Sequence, residues 1–473
     1  MDDTTIAAIA TPFAAAGGIG IIRISGQSAY DVAGRIYCRA RDFCSGPATT
    51  IGAGIANLTA NNLYHGYITD GPKIIDEVML VKMPGPHSYT GEDVVEIHAH
   101  GGRYVLKTIL SLVIKSGCRH AEPGEFTRRA FIHGRIDLSQ AEAVADIIEA
   151  STDVALGAAA DQMAGKLKAE VSGVRRLLLS SLAELDAAID FADQAEGDEE
   201  GRHLAAYLEK QAIPAIDELI NRHDTSWHLT NGVRVAIAGA PNVGKSTLLN
   251  MLVNADRAIV SEVPGTTRDL IECTVFEKGV PFVFVDTAGI RVDAGDRVEA
   301  MGMDRALDAL NQADVVLFLV DATTGITAAD QSICARLEGR PAICAANKTD
   351  IPGTNGFAFP SAWRQRFPGL RISAKTGQGI PEMKQALLAA VSGAPDESQA
   401  PFHGAIPNLR HRDALARARG SAVAALTSLK EGIPTDLVAI DIRDAVNALG
   451  EITGESVGED VLEAIFGRFC VGK

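Results

Sequence analysis

Apolar positions change their spacing several times along the chain, and each change predicts a different kind of element. Up to residue 118 they come in short runs broken by Gly/Pro turns, such as Gly20-Ile21-Ile22-Arg23-Ile24 and Val78-Met79-Leu80-Val81-Lys82 before Met83-Pro84-Gly85-Pro86. Short β-type runs between turn residues predict an α+β domain over residues 1–118. From Ser139 the period becomes helical. Ser139-Gln140-Ala141-Glu142 fits a capping box, and Val144, Ile147, Ile148, Ser151, Val154 and Ala155 then recur along one helical face. Ala-rich helices are expected to about Asp190. The acidic stretch Asp193 to Gly201 has no period and reads as a connection, and a further helix from about His203 to Asn221 leads into an apolar strand, Val233 to Ala238. Phe282–Val285, Ala342–Ala346 and Leu370–Ile372 read as later strands, Gly393-Ala394-Pro395-Asp396-Glu397-Ser398 as a linker, and Ala414–Leu429 and Asp436–Leu449 as renewed helix. Neither helical segment makes a complete domain alone. They are expected to pack together as one discontinuous helical domain, residues 119–225 plus 393–473, with an α/β domain of residues 226–392 inserted.

Length supports that division, since 473 residues exceed one ordinary core and fit about three domains. Hydrophobic residues at 47% and charged residues at 22% match a soluble globular chain. There is no run of 18 apolar residues and no basic-then-apolar start, so a cytoplasmic protein without a membrane span is expected. The seven cysteines (Cys38, Cys44, Cys118, Cys273, Cys334, Cys344, Cys470) are scattered and never spaced C-x-x-C, which predicts reduced thiols rather than disulfides or a zinc site. A net charge of −16 argues against a general coat for nucleic acid but allows a local basic patch.

The candidate chemistry lies in the inserted domain. Gly239-Ala240-Pro241-Asn242-Val243-Gly244-Lys245-Ser246 is G-x-x-x-x-G-K-S, directly after an apolar strand and before the helical Thr247-Leu248-Leu249. Glycines let the backbone curl so that its N–H groups face phosphate oxygens; Lys245 adds charge at the β/γ-phosphates and the Ser246 hydroxyl can ligate Mg²⁺. Asp286-Thr287-Ala288-Gly289 ends a second apolar strand, where a carboxylate can hold Mg²⁺ through water and the Gly289 N–H can reach the γ-phosphate. Asn347-Lys348-Thr349-Asp350 supplies a carboxylate for the guanine N1–H and exocyclic amine, a donor pair adenine lacks, and Ser373-Ala374-Lys375 supports the base from the other side. Ile290 stands where Ras-like enzymes carry the water-orienting Gln, so the water must be placed otherwise; Glu299 is the nearest suitable carboxylate, although as a residue alone it reads rather as a solvated helix side chain.

The order G-x-P-N-V-G-K-S, G-T-T-R-D (Gly265 to Asp269), D-T-A-G, N-K-T-D and S-A-K resembles the bacterial GTPases that group with Era and EngA. The flanks narrow the resemblance. Pro84-Gly85-Pro86-His87-Ser88-Tyr89-Thr90-Gly91-Glu92-Asp93, His100-Gly101-Gly102, Pro123-Gly124-Glu125-Phe126-Thr127, Leu138-Ser139-Gln140-Ala141-Glu142-Ala143 and the terminal Phe469-Cys470-Val471-Gly472-Lys473 look like the MnmE (TrmE) family of tRNA modification GTPases. The resemblance covers essentially the whole chain. It implies a multidomain fold with an α+β folate-binding and dimerisation domain, a discontinuous helical domain and an inserted α/β P-loop GTPase domain. It further implies a K⁺-dependent GTP hydrolase that works as a homodimer with the flavoprotein MnmG, in a heterotetramer or larger complex, to add an aminomethyl or carboxymethylaminomethyl group to C5 of the wobble uridine of certain tRNAs.

By the same resemblance, GTP contacts extend from Asn242–Thr247 to the loop Ser261-Glu262-Val263-Pro264-Gly265-Thr266-Thr267. Mg²⁺ ligands fall on Ser246 and Thr267, and K⁺ ligands on Asn242, Ser261, Val263 and Thr266, where the cation takes the place of an arginine finger. Glu299, in Glu299-Ala300-Met301-Gly302, becomes the water-orienting residue, with Lys245 as the catalytic cation. A tetrahydrofolate derivative carrying a 5-formyl or 5,10-methylene unit is implied at Arg23, Glu92, Arg135 and Lys473, since its acidic tail suits Arg and Lys and its pterin N–H groups suit a carboxylate. On residues alone, Arg23 and Arg135 read as surface ion pairs. Two departures from the family pattern stand out: Arg135 replaces the usual Lys, and Pro12-Phe13-Ala14-Ala15-Ala16-Gly17-Gly18 lacks the usual arginine. Cys470 is implied in the modification chemistry, as a nucleophile if nearby positive charge lowers its pKa from about 8.5; on its own it reads as a thiol on a tail. Two other readings stay open: a GTP-gated ribosome assembly factor, against which no basic G-x-x-G module follows the P-loop domain, and a folate-dependent one-carbon enzyme with a regulatory nucleotide domain.

Overall fold

A computed structural model describes residues 4–12, 17–40, 55, 57–190, 197–255, 259–260, 272–277, 280–286, 310, 313–337, 339–390 and 404–473. The chain forms two compact units: Met1–Ala145, Met163–Gly201 and Thr427–Lys473 make the first, Asp146–Gln162 and Arg202–Leu426 the second.

The first unit is built on a seven-stranded sheet of β1 (Ile6–Ile9), β2 (Ile19–Ser25), β3 (Tyr37–Arg39), β4 (Tyr64–Asp70), β5 (Lys73–Met83), β6 (Val94–His100) and β7 (Arg119–His120), in the order β3-β4-β5-β6-β2-β1-β7. Its pairings are antiparallel except for β1 with β7. Alternation along the strands sorts the faces. Ile22, Ile24, Ile68, Val78, Leu80, Val95 and Ile97 share one core with Leu106, Ile109, Leu112 and Val113 of the helix Arg103–Lys115. The helix Lys166–Asp190 packs along the helix Thr435–Thr453, where Arg175 Nε donates to the Val446 carbonyl at 3.2 Å.

In the second unit, β8 (Val233–Gly239), β9 (Ile259–Val260), β10 (Glu272–Glu277), β11 (Val280–Asp286), β12 (Val315–Asp321), β13 (Ala342–Asn347) and β14 (Gly369–Arg371) form a sheet in the order β14-β13-β12-β8-β11-β10-β9. β8 and β11 to β14 are parallel; β10 and β9 continue the sheet antiparallel. Every residue of β12 is buried, as expected of a central parallel strand covered on both faces. Apolar residues on either side of the sheet fill two cores, one holding Leu248, Leu249 and Leu252, the other Cys334, Leu337 and Phe367.

Three expected boundaries move. The capping box sits two residues earlier than Ser139: the helix Leu138–Glu149 starts after Asp137, whose Oδ1 accepts from the Gln140 N–H while Gln140 Oε1 accepts from the Asp137 N–H, each at 3.0 Å. Asp is a better cap than a serine already inside the helix. The connection expected over Asp193–Gly201 is helical from Gly197, since acidic residues are favoured in a first turn. The helix expected to end at Asn221 runs to Asn231, because His223 and Ser226 are buried and His223 Nδ1 lies 2.6 Å from the Pro407 carbonyl. Tertiary packing there outweighs a weak local period. A π-helical turn, Leu208–Ala212, precedes Pro214, which has no N–H to close a regular turn with the Lys210 carbonyl.

Candidate functional site

In the second unit, three of the sequence motifs meet at the C-terminal ends of parallel strands, the edge at which open α/β sheets bind ligands. The loop after β8 turns on two glycines. A Cβ at Gly239 (φ +153°) would fall 2.5 Å from the Leu319 carbonyl oxygen, and one at Gly244 (φ +102°) would fall 2.4 Å from Asn347 Nδ2, so only glycine fits either place. Asn242 also has positive φ, 63°, a conformation asparagine tolerates. The helix Lys245–Ala255 then begins with Lys245 8% exposed, its Nζ donating to the Gly239 and Ala240 carbonyls at 2.8 and 3.0 Å. A buried ammonium held by neutral carbonyls, at a helix N-terminus, is a place for an anion. Ser246 and Thr247 are exposed in the first turn and Val243 is buried beneath it.

Asn347, at the end of β13 and 1% exposed, ties the two halves of the site together. Its Nδ2 donates to the Val243 carbonyl at 2.7 Å, and its Oδ1 accepts from the Ala374 N–H at 2.9 Å. The P-loop and the Ser373-Ala374-Lys375 loop are thereby fixed to one side chain. Ser373 is buried and its Oγ donates to Asp350 Oδ1 at 2.7 Å, which orients an otherwise exposed carboxylate; Lys375 is exposed beside it. Lys348 adopts φ +66°, and its Nζ meets Asp321 Oδ2 at 2.6 Å. Asp321 was not anticipated. Burial works to raise its pKa, but Lys348 and the Thr323 hydroxyl and N–H outweigh that and hold the carboxyl below its ordinary value. The signal was an Asp at the C-terminal end of an apolar strand.

Several expected residues lie outside the described ones: Ser261, Glu262, Val263, Pro264, Gly265, Thr266, Thr267, Thr287, Ala288, Gly289 and Glu299, with Phe13–Ala16 of the N-terminal loop. Asp286 ends β11, beside Ile237 of β8. Asn242 and Ser246 present oxygen donors, as hard cations such as Mg²⁺ and K⁺ require.

The first unit brings Arg23, Glu92, Arg135 and Lys473 around the loop between β5 and β6 and the helix Glu125–Ile132. Arg23 pairs with Glu96 at 2.8 Å and lies over the Tyr89 and Phe126 rings. Glu92 accepts from Ser25 Oγ at 2.7 Å and from Arg129 Nη1 at 3.0 Å; Arg129 also donates to Glu125, which receives both Nη groups of Arg119. This chain of alternating charges was not anticipated, because Glu92 joins it from 37 residues away and the other three members come from a strand and the helix that follows it. Burial favours a raised Glu125 pKa, but the bonds from Arg119, the Glu122 N–H and Arg129 hold it below the usual range. Arg135 donates its Nε to the Ser88 carbonyl at 2.9 Å, so its Nη fork can meet an anion bidentately. The C-terminal tail is held in place: Val471 bridges Pro123, the Lys473 carbonyl accepts from the Phe126 N–H at 3.2 Å, and Gly472 (φ +102°) passes so near Ile9 that a Cβ would lie 2.3 Å from its carbonyl oxygen. Cys470, which begins this tail, is exposed. An aromatic floor, fixed carboxylates and guanidinium groups suit a flat, polar ligand with an acidic tail.

Comparison with known proteins gives consistent matches. The family described as "GTP-binding protein TrmE N-terminus" matches residues 5–135, and "MnmE helical domain" matches residues 138–470. The tRNA modification GTPase MnmE of Geotalea uraniireducens is 42% identical over 473 residues, covering 99% of both chains. That of Symbiobacterium thermophilum is 42% identical over 478 residues, covering 100% of both, and that of Geobacter metallireducens is 41% identical over 481 residues, covering 100% of this chain and 99% of the relative. With its P-loop geometry, its N-terminal sheet and its full-length likeness to these relatives, the chain belongs to the MnmE family of tRNA modification GTPases.

Proposed function

We propose that this chain hydrolyses GTP and couples hydrolysis to modification of the wobble uridine of certain tRNAs. One observation carries the nucleotide reading: Asn347 joins the phosphate-binding loop to the loop that orients Asp350, so phosphate grip and base recognition form one rigid unit. The backbone N–H groups of Asn242–Thr247 bind the phosphates, Lys245 neutralises charge that builds between the β- and γ-phosphates, and Asp350 accepts from the guanine N1–H and amine. Glu299 orients the attacking water. Ser246 and Thr267 would hold Mg²⁺, and Asn242, Ser261, Val263 and Thr266 would hold K⁺; bound there, the two cations supply positive charge to the transition state.

The finer pathway rests on the family. The chain acts as a homodimer with the flavoprotein MnmG and adds an aminomethyl or carboxymethylaminomethyl group at C5 of the uridine. Arg23, Glu92, Arg135 and Lys473 would hold the 5-formyl- or 5,10-methylene-tetrahydrofolate that supplies the carbon, a reading supported by the ring-flanked Arg23 and the clamped Glu92. Residues 1–118 are the folate and dimerisation domain, 226–392 the GTPase domain, and the remaining segments the helical domain. Cys470 serves the modification chemistry from its exposed position.

Mass spectrometry of wobble nucleosides from cells lacking this gene tests the pathway: C5 modification should disappear, and its persistence would remove the pathway while leaving GTP hydrolysis standing. Hydrolysis should be faster in K⁺ than in Na⁺. Equal rates would reject the role of Asn242.

A further inference from the structure

The helix Arg103–Lys115 presents two faces of opposite character. Leu106, Ile109, Leu112 and Val113 are buried against the sheet of the first unit, whereas Arg103, Lys107, Ser111 and Lys115 are exposed. These four positions are spaced by four residues and form one inclined row. Each step advances about 6 Å and the row spans about 18 Å, comparable to a run of phosphates along one nucleic-acid strand. The helix contains no Asp or Glu, although the whole chain has 60 acidic residues against 44 Lys and Arg. At its C-terminal end Arg35, also exposed, donates Nη1 to the Ser116 carbonyl at 2.8 Å and so extends the row by one more cation. At the other end, Asp76 is engaged by His100, through both its backbone N–H at 2.9 Å and its Nδ1 at 2.7 Å. Tyr104 stands in the first turn with 84% of its surface exposed. An aromatic ring left this open gains nothing from the core, but it is a platform on which an unstacked base can lie.

We propose that this outer face, with Arg103, Lys107, Lys115 and Arg35 on the sugar-phosphate backbone and Tyr104 against a base, is a docking surface for the RNA substrate. The proposal rests on the tRNA-modification reading and assigns it a surface. A local cationic row explains how a chain of net charge −16 engages a polyanion, since the contact is set by the charges within a Debye length rather than by the total.

Fluorescence anisotropy with a labelled tRNA transcript, over a salt series of about 50 to 200 mM, tests this on the full-length chain. Arg103→Gln/Lys107→Gln/Lys115→Gln keeps good helix formers in place and lies outside the nucleotide machinery, so its melting curve and basal GTP hydrolysis should equal wild type. The slope of log affinity against log salt should fall by about 2–3, with at least about 10-fold weaker binding at the low-salt end. Tyr104→Ala should weaken binding about 5-fold or more without changing the slope, because stacking is not ionic. Superimposable isotherms for wild type and the triple variant would overturn the surface and leave the tRNA reading intact. Absence of RNA binding by the wild type at low salt would overturn both.

Discussion

In the proposed reading Asp350 selects the base, from an exposed position in which a hydrogen bond from Ser373 Oγ orients its carboxylate. Asp350→Asn replaces one acceptor by a donor facing the guanine amine. GTP affinity should fall at least about 100-fold, while xanthosine triphosphate, which carries a carbonyl at that ring position, should gain; competition binding reads both. Gly244 is constrained from the opposite side. Gly244→Ala places a methyl 2.4 Å from Asn347 Nδ2 at φ +102°, so it should break the Asn347–Val243 bond, cost about 1–3 kcal/mol in backbone strain and abolish nucleotide binding in a titration with a fluorescent GTP analogue. The motif spelling makes Gly239 and Gly244 legible as P-loop residues. That Gly244 is confined by an amide about 100 residues away is visible only in the folded chain.

Among elements, the helix Leu138–Glu149 depends on a start signal that local spelling misplaces. Ser139 looks like a cap because Glu142 follows it three residues later, yet Asp137 with Gln140 closes the box, and the Ser139 hydroxyl itself donates to Asp137 at 2.6 Å. Asp137→Ala should therefore destabilise the chain by about 0.5–2 kcal/mol, and Glu142→Ala by much less; urea melts of both variants distinguish the two boxes. The P-loop strand and helix, by contrast, lie where their pattern puts them, since an all-apolar run, a glycine turn and a helical period leave one arrangement. The continuation of helix to Asn231 was not legible in the same way. Most residues past Asn221 are polar, and what keeps them helical is burial of His223 and Ser226.

For the whole molecule, ionisation and stability are linked through buried and half-buried carboxylates beside cations in both units. Glu96 and Glu125 in the first and Asp321 in the second are each held below their ordinary values, burial opposing and the neighbouring His98 and Arg23, Arg119 and Arg129, or Lys348 prevailing. A carboxyl with a depressed folded-state pKa adds stability above its unfolded value, about 4.3 for Glu and 3.9 for Asp. That stability is lost as pH falls from there through the folded value. The melting temperature should be level near neutrality and drop below about pH 4.5, and Glu125→Gln should flatten the acid limb. Calorimetry across the acid range checks this, and an acid limb unchanged in Glu125→Gln would show that the Arg119–Glu125–Arg129 cluster is not its source.

The sequence by itself determined the class of most segments, the nucleotide motifs and the family, because period, glycine spacing and short motifs are local properties that neighbouring residues impose on the backbone. It did not determine the side chains that join distant motifs. The Asn347 strut, the Lys348–Asp321 pair, the Arg119–Glu125–Arg129–Glu92 chain and the seat of the C-terminal tail at Pro123, Phe126 and Ile9 were decided by tertiary structure. Each needs two or more residues from separate elements at hydrogen-bond distance, and that proximity comes from packing strands and helices together within each unit, which no local pattern along the chain encodes.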